Sequence, residues 1–81
     1  MHVVVRLSNE LARVAGIPRL TVELAPGATV SDLRRAVEQV NPVLRDALGA
    51  ALPLIRGAHV GSYHTLQAGE EVALLLPVAG G

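Results

Sequence analysis

Thr29-Val30-Ser31-Asp32-Leu33-Arg34-Arg35-Ala36-Val37-Glu38-Gln39-Val40 is the stretch whose local chemistry fixes the architecture. Thr29 and Asp32 occupy the two positions of a capping box, in which each side chain receives a backbone N–H of the other. Leu33, Ala36, Val37 and Val40 then recur at i, i+3, i+4 and i+7, the spacing of a helix with one apolar stripe. Asn41-Pro42 ends it, because the residue before a proline is pushed out of the helical region. Such a stripe must be covered by another layer.

Outward from that helix, both flanks read mainly as extended chain. His2–Leu7 is rich in β-branched residues, with Val3, Val5 and Leu7 on one face and His2, Val4 and Arg6 on the other. Asn9–Ala15 places Leu11, Val14 and Ala15 on one side of a short helix that stops at Gly16. After Pro18 the alternation is cleaner: Leu20, Val22 and Leu24 inward, Arg19, Thr21 and Glu23 outward, then the turn signal Pro26-Gly27. Beyond the main helix, Val43, Leu44, Ala47 and Leu48 predict a further helical turn or two before Gly49. Leu54 and Ile55 lead a short strand that turns near Gly57, and His59 and Val60 resume it briefly. Gln67-Ala68-Gly69-Glu70 is a turn. Residues 71–76 close the fold, with Val72, Leu74 and Leu76 on one face and Ala73 and Leu75 on the other. A capped helix between two hairpin-like halves, with the last strand running to the terminus, predicts an α+β domain in the β-grasp arrangement of ubiquitin. The expected architecture is a mixed sheet of four to five strands packed on one main helix, over residues 1–76. Residues 77–81 are expected to be a flexible C-terminal tail.

Composition narrows the function. The 81 residues make one domain, and a chain this small buries only about 60% of its unfolded surface. Its 51% hydrophobic against 17% charged residues exclude a disordered chain. Tyr63 is the sole aromatic, so the core is built from Val, Leu, Ile and Ala, and bases find no stacking platform. A formal net charge of zero offers no track for phosphates, so no nucleic-acid binding is expected. No apolar run approaches the ~20 residues that span a bilayer. Met1-His2-Val3-Val4-Val5-Arg6 lacks a basic leader region and reads as a strand, not a signal peptide. A cytoplasmic protein without membrane contact is expected. Cysteine is absent, which removes disulfides, thiolate catalysis and Cys-based metal sites. Lysine is absent too, all seven basic side chains being arginines.

The terminal Val78-Ala79-Gly80-Gly81 carries the chemical clue. Two glycines in a row resist joining an element and leave a carboxylate able to enter a channel too narrow for any side chain. Residues 77–81, if extended, reach about 17 Å at roughly 3.4 Å each. Pro77 stiffens the exit from the last strand and limits the entropy lost when the tail docks.

Leu66-Gln67-Ala68-Gly69-Glu70-Glu71-Val72-Ala73-Leu74-Leu75-Leu76-Pro77-Val78-Ala79-Gly80-Gly81 resembles the carboxyl end of the MoaD family, the small subunit of molybdopterin synthase. In that family a turn L-x-x-G-[DE]-E-V-A leads into an apolar strand and then P-V-[ST]-G-G. Arg6-Leu7-Ser8-Asn9-Glu10-Leu11-Ala12-Arg13-Val14-Ala15-Gly16 resembles the family's first strand and short helix, and Pro26-Gly27-Ala28-Thr29-Val30-Ser31-Asp32-Leu33 its turn into the main helix. The chain departs from the pattern at Ser8-Asn9 (often Phe-Ala), at Arg56-Gly57 (often Val-Asn-Gly) and at Leu74 and Leu75 (often aromatic). Leu76-Pro77 stands for the common Pro-Pro, and Ala79 for the usual Ser or Thr; an Ala-Gly-Gly ending also occurs in carriers serving cysteine synthesis.

The resemblance implies a ThiS/MoaD-type sulfur carrier that is a co-substrate and not a catalyst. An E1-like adenylyltransferase of the MoeB/ThiF type would consume ATP to convert the Gly81 carboxylate to an acyl-adenylate. A sulfur donor such as a cysteine desulfurase or rhodanese would then leave a thiocarboxylate, which feeds the molybdopterin synthase large subunit. No bound cofactor is implied. Gly81 is the residue modified, and Pro77, Val78, Ala79 and Gly80 form the tail that partners grip. Leu75, beside Ala73 on the open face just before the tail, is the expected docking anchor. The rivals are carriers for cysteine, thiamine or tRNA thiolation, and a protein modifier joined through Gly81; a plain interaction module is the third class. Lacking lysine, the chain cannot build lysine-linked chains on itself.

Other side chains read as structural. His2, His59 and His64 have no spacing that makes a metal triad, so no metal site is expected. Glu70 and Glu71 are a turn acid and a strand start, since adjacent strand residues point to opposite faces. Arg34-Arg35 reads as a solvated helix face.

Overall fold

The computed structural model describes residues 1–77. Along the chain run β1 (His2–Leu7), α1 (Asn9–Ala15), β2 (Arg19–Glu23), α2 (Val30–Val40), a 3-10 turn (Pro42–Leu44), α3 (Arg45–Leu48), β3 (Leu52–Ile55), β4 (Ala58–His59) and β5 (Glu71–Leu75). The strands form one sheet in the order β2-β1-β5-β3-β4. β1 is antiparallel to β2 and parallel to β5, and β3 is antiparallel to both β5 and β4. With α2 over one face, this is the ubiquitin-like β-grasp arrangement expected from the pattern. No helix among the described residues is long and apolar enough to cross a membrane.

The helix termini follow from their sequence. Ser8 caps α1 by accepting from the Leu11 N–H, and Gly16 ends it at φ 80°, its N–H donating to Ala12. At α2 the capping box is complete: the Thr29 N–H donates to Asp32 Oδ2 at 2.9 Å, and the Asp32 N–H donates to Thr29 Oγ1 at 3.4 Å. The hydrogen bond from the Thr29 backbone, then that from the Arg35 guanidinium and that from the Thr29 hydroxyl, hold the Asp32 carboxyl below its ordinary range. A carboxylate whose folded pKa lies below its unfolded one contributes stability above the ordinary carboxylate range and loses it as pH falls through the folded value. Urea midpoints measured across that acid window are therefore expected to fall with pH in the parent. They should fall less in Asp32→Asn, whose amide oxygen can still accept from Thr29 but carries no charge. Equal slopes would remove the charge from the account of this cap.

The core is apolar throughout, and among the described residues no polar or charged side chain is buried in it. Val3, Val5 and Leu7 of β1, Val22 of β2, and Val72 and Leu74 of β5 face Val30, Leu33 and Val37 of α2. Two expectations about α2 need correction. Val40 does not complete the α2 stripe: it is 61% exposed, because the helix ends there, beyond the edge of the core. Leu44 and Leu48, from the 3-10 turn and α3, fill that end of the core instead. Arg34 is not a solvated residue: its guanidinium donates to the carbonyls of Leu48 (2.5 Å) and Ala51 (2.8 Å). The last carbonyls of a helix lack intrahelical donors; Arg34 supplies one to Leu48, the last residue of α3, and another to Ala51 in the segment that leads to β3. Arg35 is exposed, pairing with Asp32 at 2.6 Å.

β3 begins at Leu52, two residues before the expected Leu54, and contains Pro53. The Pro53 carbonyl accepts from the Val60 N–H, so its missing N–H lies on the side away from β5. There β4 is too short to require a ladder bond. Arg56 (φ 52°) and Gly57 (φ 77°) make the two-residue turn into β4, the pair of left-handed residues that a tight hairpin favours.

Candidate functional site

β5 is the strand from which the chain leaves the fold, and it is held on both sides. β1 pairs Leu7 with Leu74, and β3 pairs Leu52 with Leu75. The Ser8 N–H adds a bond to the Leu74 carbonyl at 3.0 Å. Whatever follows residue 77 is therefore attached to the centre of the sheet, not to a free edge. Pro77 is exposed. Val78, Ala79, Gly80 and Gly81 lie outside the described residues, as does the expectation that the tail is flexible.

The side chains of β5 sort as the alternation requires. Val72 and Leu74 are fully buried under α2, while Ala73 and Leu75 lie on the opposite, open face. That face carries Leu52 and Leu54 beside them: Leu75 stands opposite Leu52, and Ala73 has Leu54 on one side and Arg6 on the other. Leu52 is 42% exposed and Ala73 only 5%. Ala73 is thus the floor of an apolar patch whose walls are Leu52, Leu54 and Leu75. Alternation in the sequence finds Leu75 and Ala73 but leaves Leu52 and Leu54 without a face; Pro53 hides the pattern that would assign them.

Charged groups rim the patch. Arg6 lies 3.7 Å from Glu71 across β1 and β5. Arg19 follows Arg6 in register on β2, and His59 stands opposite Leu54. A groove of about 490 Å³ continues the patch between the β3–β4 hairpin and the turn before β5, lined by Arg6, Leu54, Arg56, Gln67, Glu71 and Ala73 among others. Polar rims around apolar centres are the usual build of protein-binding surfaces.

The remaining candidates are not brought together. Glu70 accepts from the Gln67 N–H within its own turn, and Glu71 pairs with Arg6, so the two carboxylates serve different structures. His2 Nδ1 sits 2.9 Å from Glu23 Oε2 at the far edge of the sheet. His59 and His64 are exposed. Among the described residues no group of acidic and histidine side chains has the geometry to hold a metal ion.

Comparison with known proteins agrees with this geometry. The sequence profile of the ThiS family matches residues 5–81. A comparison with curated proteins finds no match. Among solved structures, SAMP1 from Haloferax volcanii superposes with a TM-score of 0.91 at 28% identity, covering 100% of both chains. The complex of subunits 1 and 2 of the molybdopterin-converting factor from Helicobacter pylori contains a chain that matches with a TM-score of 0.72 at 23% identity, covering 100% of both. The BexX/CysO complex from Amycolatopsis orientalis contains another, with a TM-score of 0.79 at 21% identity, covering 98% of this chain and 99% of that one. The last two likenesses establish the fold alone.

Proposed function

The chain belongs to the ThiS family of ubiquitin-fold carriers and modifiers, and from that premise we propose that it carries sulfur as a thiocarboxylate on Gly81. The observation that supports this reading is that β5, the strand after which Pro77-Val78-Ala79-Gly80-Gly81 follows in sequence, lies at the centre of the sheet and carries an apolar patch on its open face. A domain so built can be held by its open face while the narrow tail reaches a buried active site.

In the proposed sequence a Gly81 carboxylate oxygen attacks the α-phosphorus of ATP in an E1-like adenylyltransferase of the MoeB/ThiF type, and pyrophosphate leaves. A sulfide or persulfide sulfur then attacks the acyl carbon and AMP departs. Where the donor is a persulfide of a cysteine desulfurase or rhodanese, a second thiol cleaves the acyl disulfide, leaving the thiocarboxylate and an oxidised donor. The acceptor we favour is the large subunit of molybdopterin synthase, with this chain as its small, non-catalytic subunit. Carriage of sulfur for cysteine, thiamine or tRNA thiolation uses the same steps with a different acceptor. The likeness to a small archaeal modifier protein at 28% identity favours one further reading, in which the activated Gly81 is passed to lysines of other proteins. ATP is consumed by the partner and no cofactor is bound by the chain.

The test is an intact-mass measurement after incubation with ATP, a sulfur source and the adenylating enzyme of the same organism. A gain equal to one oxygen replaced by sulfur, absent in a Gly81 deletion, is expected. Adding the synthase large subunit with its pterin precursor should then return the original mass. No gain, with an enzyme that is active on another carrier, would reject sulfur carriage; ATP-dependent conjugates of higher mass would favour the modifier.

A further inference from the structure

Among the described residues, β2 is an edge of the sheet whose outward side is left unpaired, and its sequence is complementary to itself. The Leu24 N–H donates to the Met1 carbonyl (2.8 Å) and the Leu7 N–H to the Pro18 carbonyl (2.9 Å). In an antiparallel ladder alternate residues face the partner strand. Leu20 and Val22, which lie in phase with Pro18 and Leu24, therefore turn their backbone groups toward β1. Arg19, Thr21 and Glu23 turn theirs outward, which leaves three N–H and three C=O groups unpaired in a row.

The side chains of the same three residues lie on the open face: a cation, a hydroxyl and an anion, symmetric about Thr21. We propose that two copies of this chain pair through β2, antiparallel, about a twofold axis at Thr21. In that register each Arg19 lies opposite the Glu23 of the other copy and the two Thr21 residues lie opposite each other. Six backbone hydrogen bonds close, two for each of three facing pairs. Opposite charges and paired threonines are favourable cross-strand neighbours. Parallel pairing, or a shift of two residues, loses the match.

A second observation points the same way. Arg19 sits in register beside Arg6, a like charge, and among the described residues makes no ion pair of its own, whereas Arg6 has Glu71. The Glu23 carboxylate of a second copy would supply the missing anion. Glu23 is 70% exposed; His2 meets its Oε2 at 2.9 Å and the N-terminal ammonium lies 3.9 Å from its Oε1, so both contacts come from its own β1 side. Edge strands are commonly protected by like charges, an internal proline or a bulge. Here the charges are of opposite sign, the prolines flank the strand at 18 and 26, and the register with β1 is unbroken. Pairing joins two sheets into one and keeps both open faces on the same side. The two β5 exits and their apolar patches stay free, pointing in opposite directions. This inference does not depend on the chemistry proposed for Gly81.

The interface is small, so association is expected at up to about 1 mM protein, the affinity range of contacts below standard size. Amide NMR on dilution and sedimentation equilibrium read it. The parent should dimerise, with concentration-dependent protection of the Arg19, Thr21 and Glu23 amides and little change at Leu20 and Val22. Arg19→Glu and Glu23→Arg should each weaken self-association about tenfold or more by placing like charges opposite each other. Mixing the two variants should restore a heterodimer. One copy then carries acids at both positions and the other carries bases at both, so each facing pair is again of opposite charge. Arg19→Glu also relieves the clash with Arg6, so lost pairing there does not reflect lost folding. A chain that stays monomeric at about 1 mM, or a dimer indifferent to either reversal, overturns the proposal. So does protection produced only by adding another protein's strand.

Discussion

Leu44→Ala is expected to remove about 3 to 4 kcal/mol of folding stability, while Val43→Ala beside it changes stability by less than about 0.5 kcal/mol. Both residues sit in the same 3-10 turn and are one methylene apart in size. Leu44 is fully buried, filling the end of the core that α2 leaves open, and Val43 is 60% exposed. Truncating a buried leucine loses its transfer energy and leaves a cavity. The core next to it is held by Leu11, Leu33 and Leu48, which cannot all move to fill the gap. A domain of this size has roughly 4 to 12 kcal/mol of stability in total, so Leu44→Ala removes a large part of it. The melting temperature should fall by about 15 to 30 °C. Far-UV circular dichroism in urea is the suitable measurement, because Tyr63 is 90% exposed and its fluorescence would report little of folding. Similar losses at 43 and 44 would show that this turn is not packed as described.

The pair also shows where reading from sequence stops. β1, β2, α1 and α2 are legible because local chemistry decides them. Capping residues, terminating glycines and alternation each act within a few positions of the residue they fix. Residues 42–52 carry the right apolar content for helical turns, yet the choice of Leu44 over Val43 for the interior is made by the distant end of α2. Arg34 is unreadable for the same reason, since the carbonyls it serves lie 14 and 17 positions away. In the candidate site, alternation in 71–76 places Ala73 and Leu75 on the open face without help. Leu52 and Leu54 join them only because β3 pairs with β5, a contact between segments about 20 residues apart that no local pattern records. Pro53 further conceals it by sitting at a β3 position that needs no N–H for the ladder with β5.

If the open face holds the domain while the tail enters the active site, mutations in the two places should affect different kinetic constants. The double variant Leu54→Glu/Leu75→Glu is expected to raise the adenylating enzyme's KM for this chain about 100-fold or more and leave kcat nearly unchanged. Buried apolar anchors at an interface each contribute about 2 kcal/mol or more, and a charge in their place must be desolvated without a partner. Both leucines are half-buried on the open face, so the variant should keep its fold, which circular dichroism checks. Gly80→Val acts on the reacting end. A branched side chain one residue from the acyl carbon displaces the carboxylate from ATP in a channel that admits glycine, and misplacement by about 1 Å costs on the order of 100-fold in rate. Its KM should move little, because the docking patch is untouched, and kcat should fall. A group that contributes equally to ground state and transition state changes KM alone, whereas one needed only for reaction geometry changes kcat. Initial rates of pyrophosphate release against carrier concentration give both constants. If the leucine variant lost kcat and kept its KM, the patch would be part of the reacting assembly and not a docking surface. If Gly80→Val left both constants unchanged, the tail would not enter a confined site, and the activation of Gly81 would have to be abandoned.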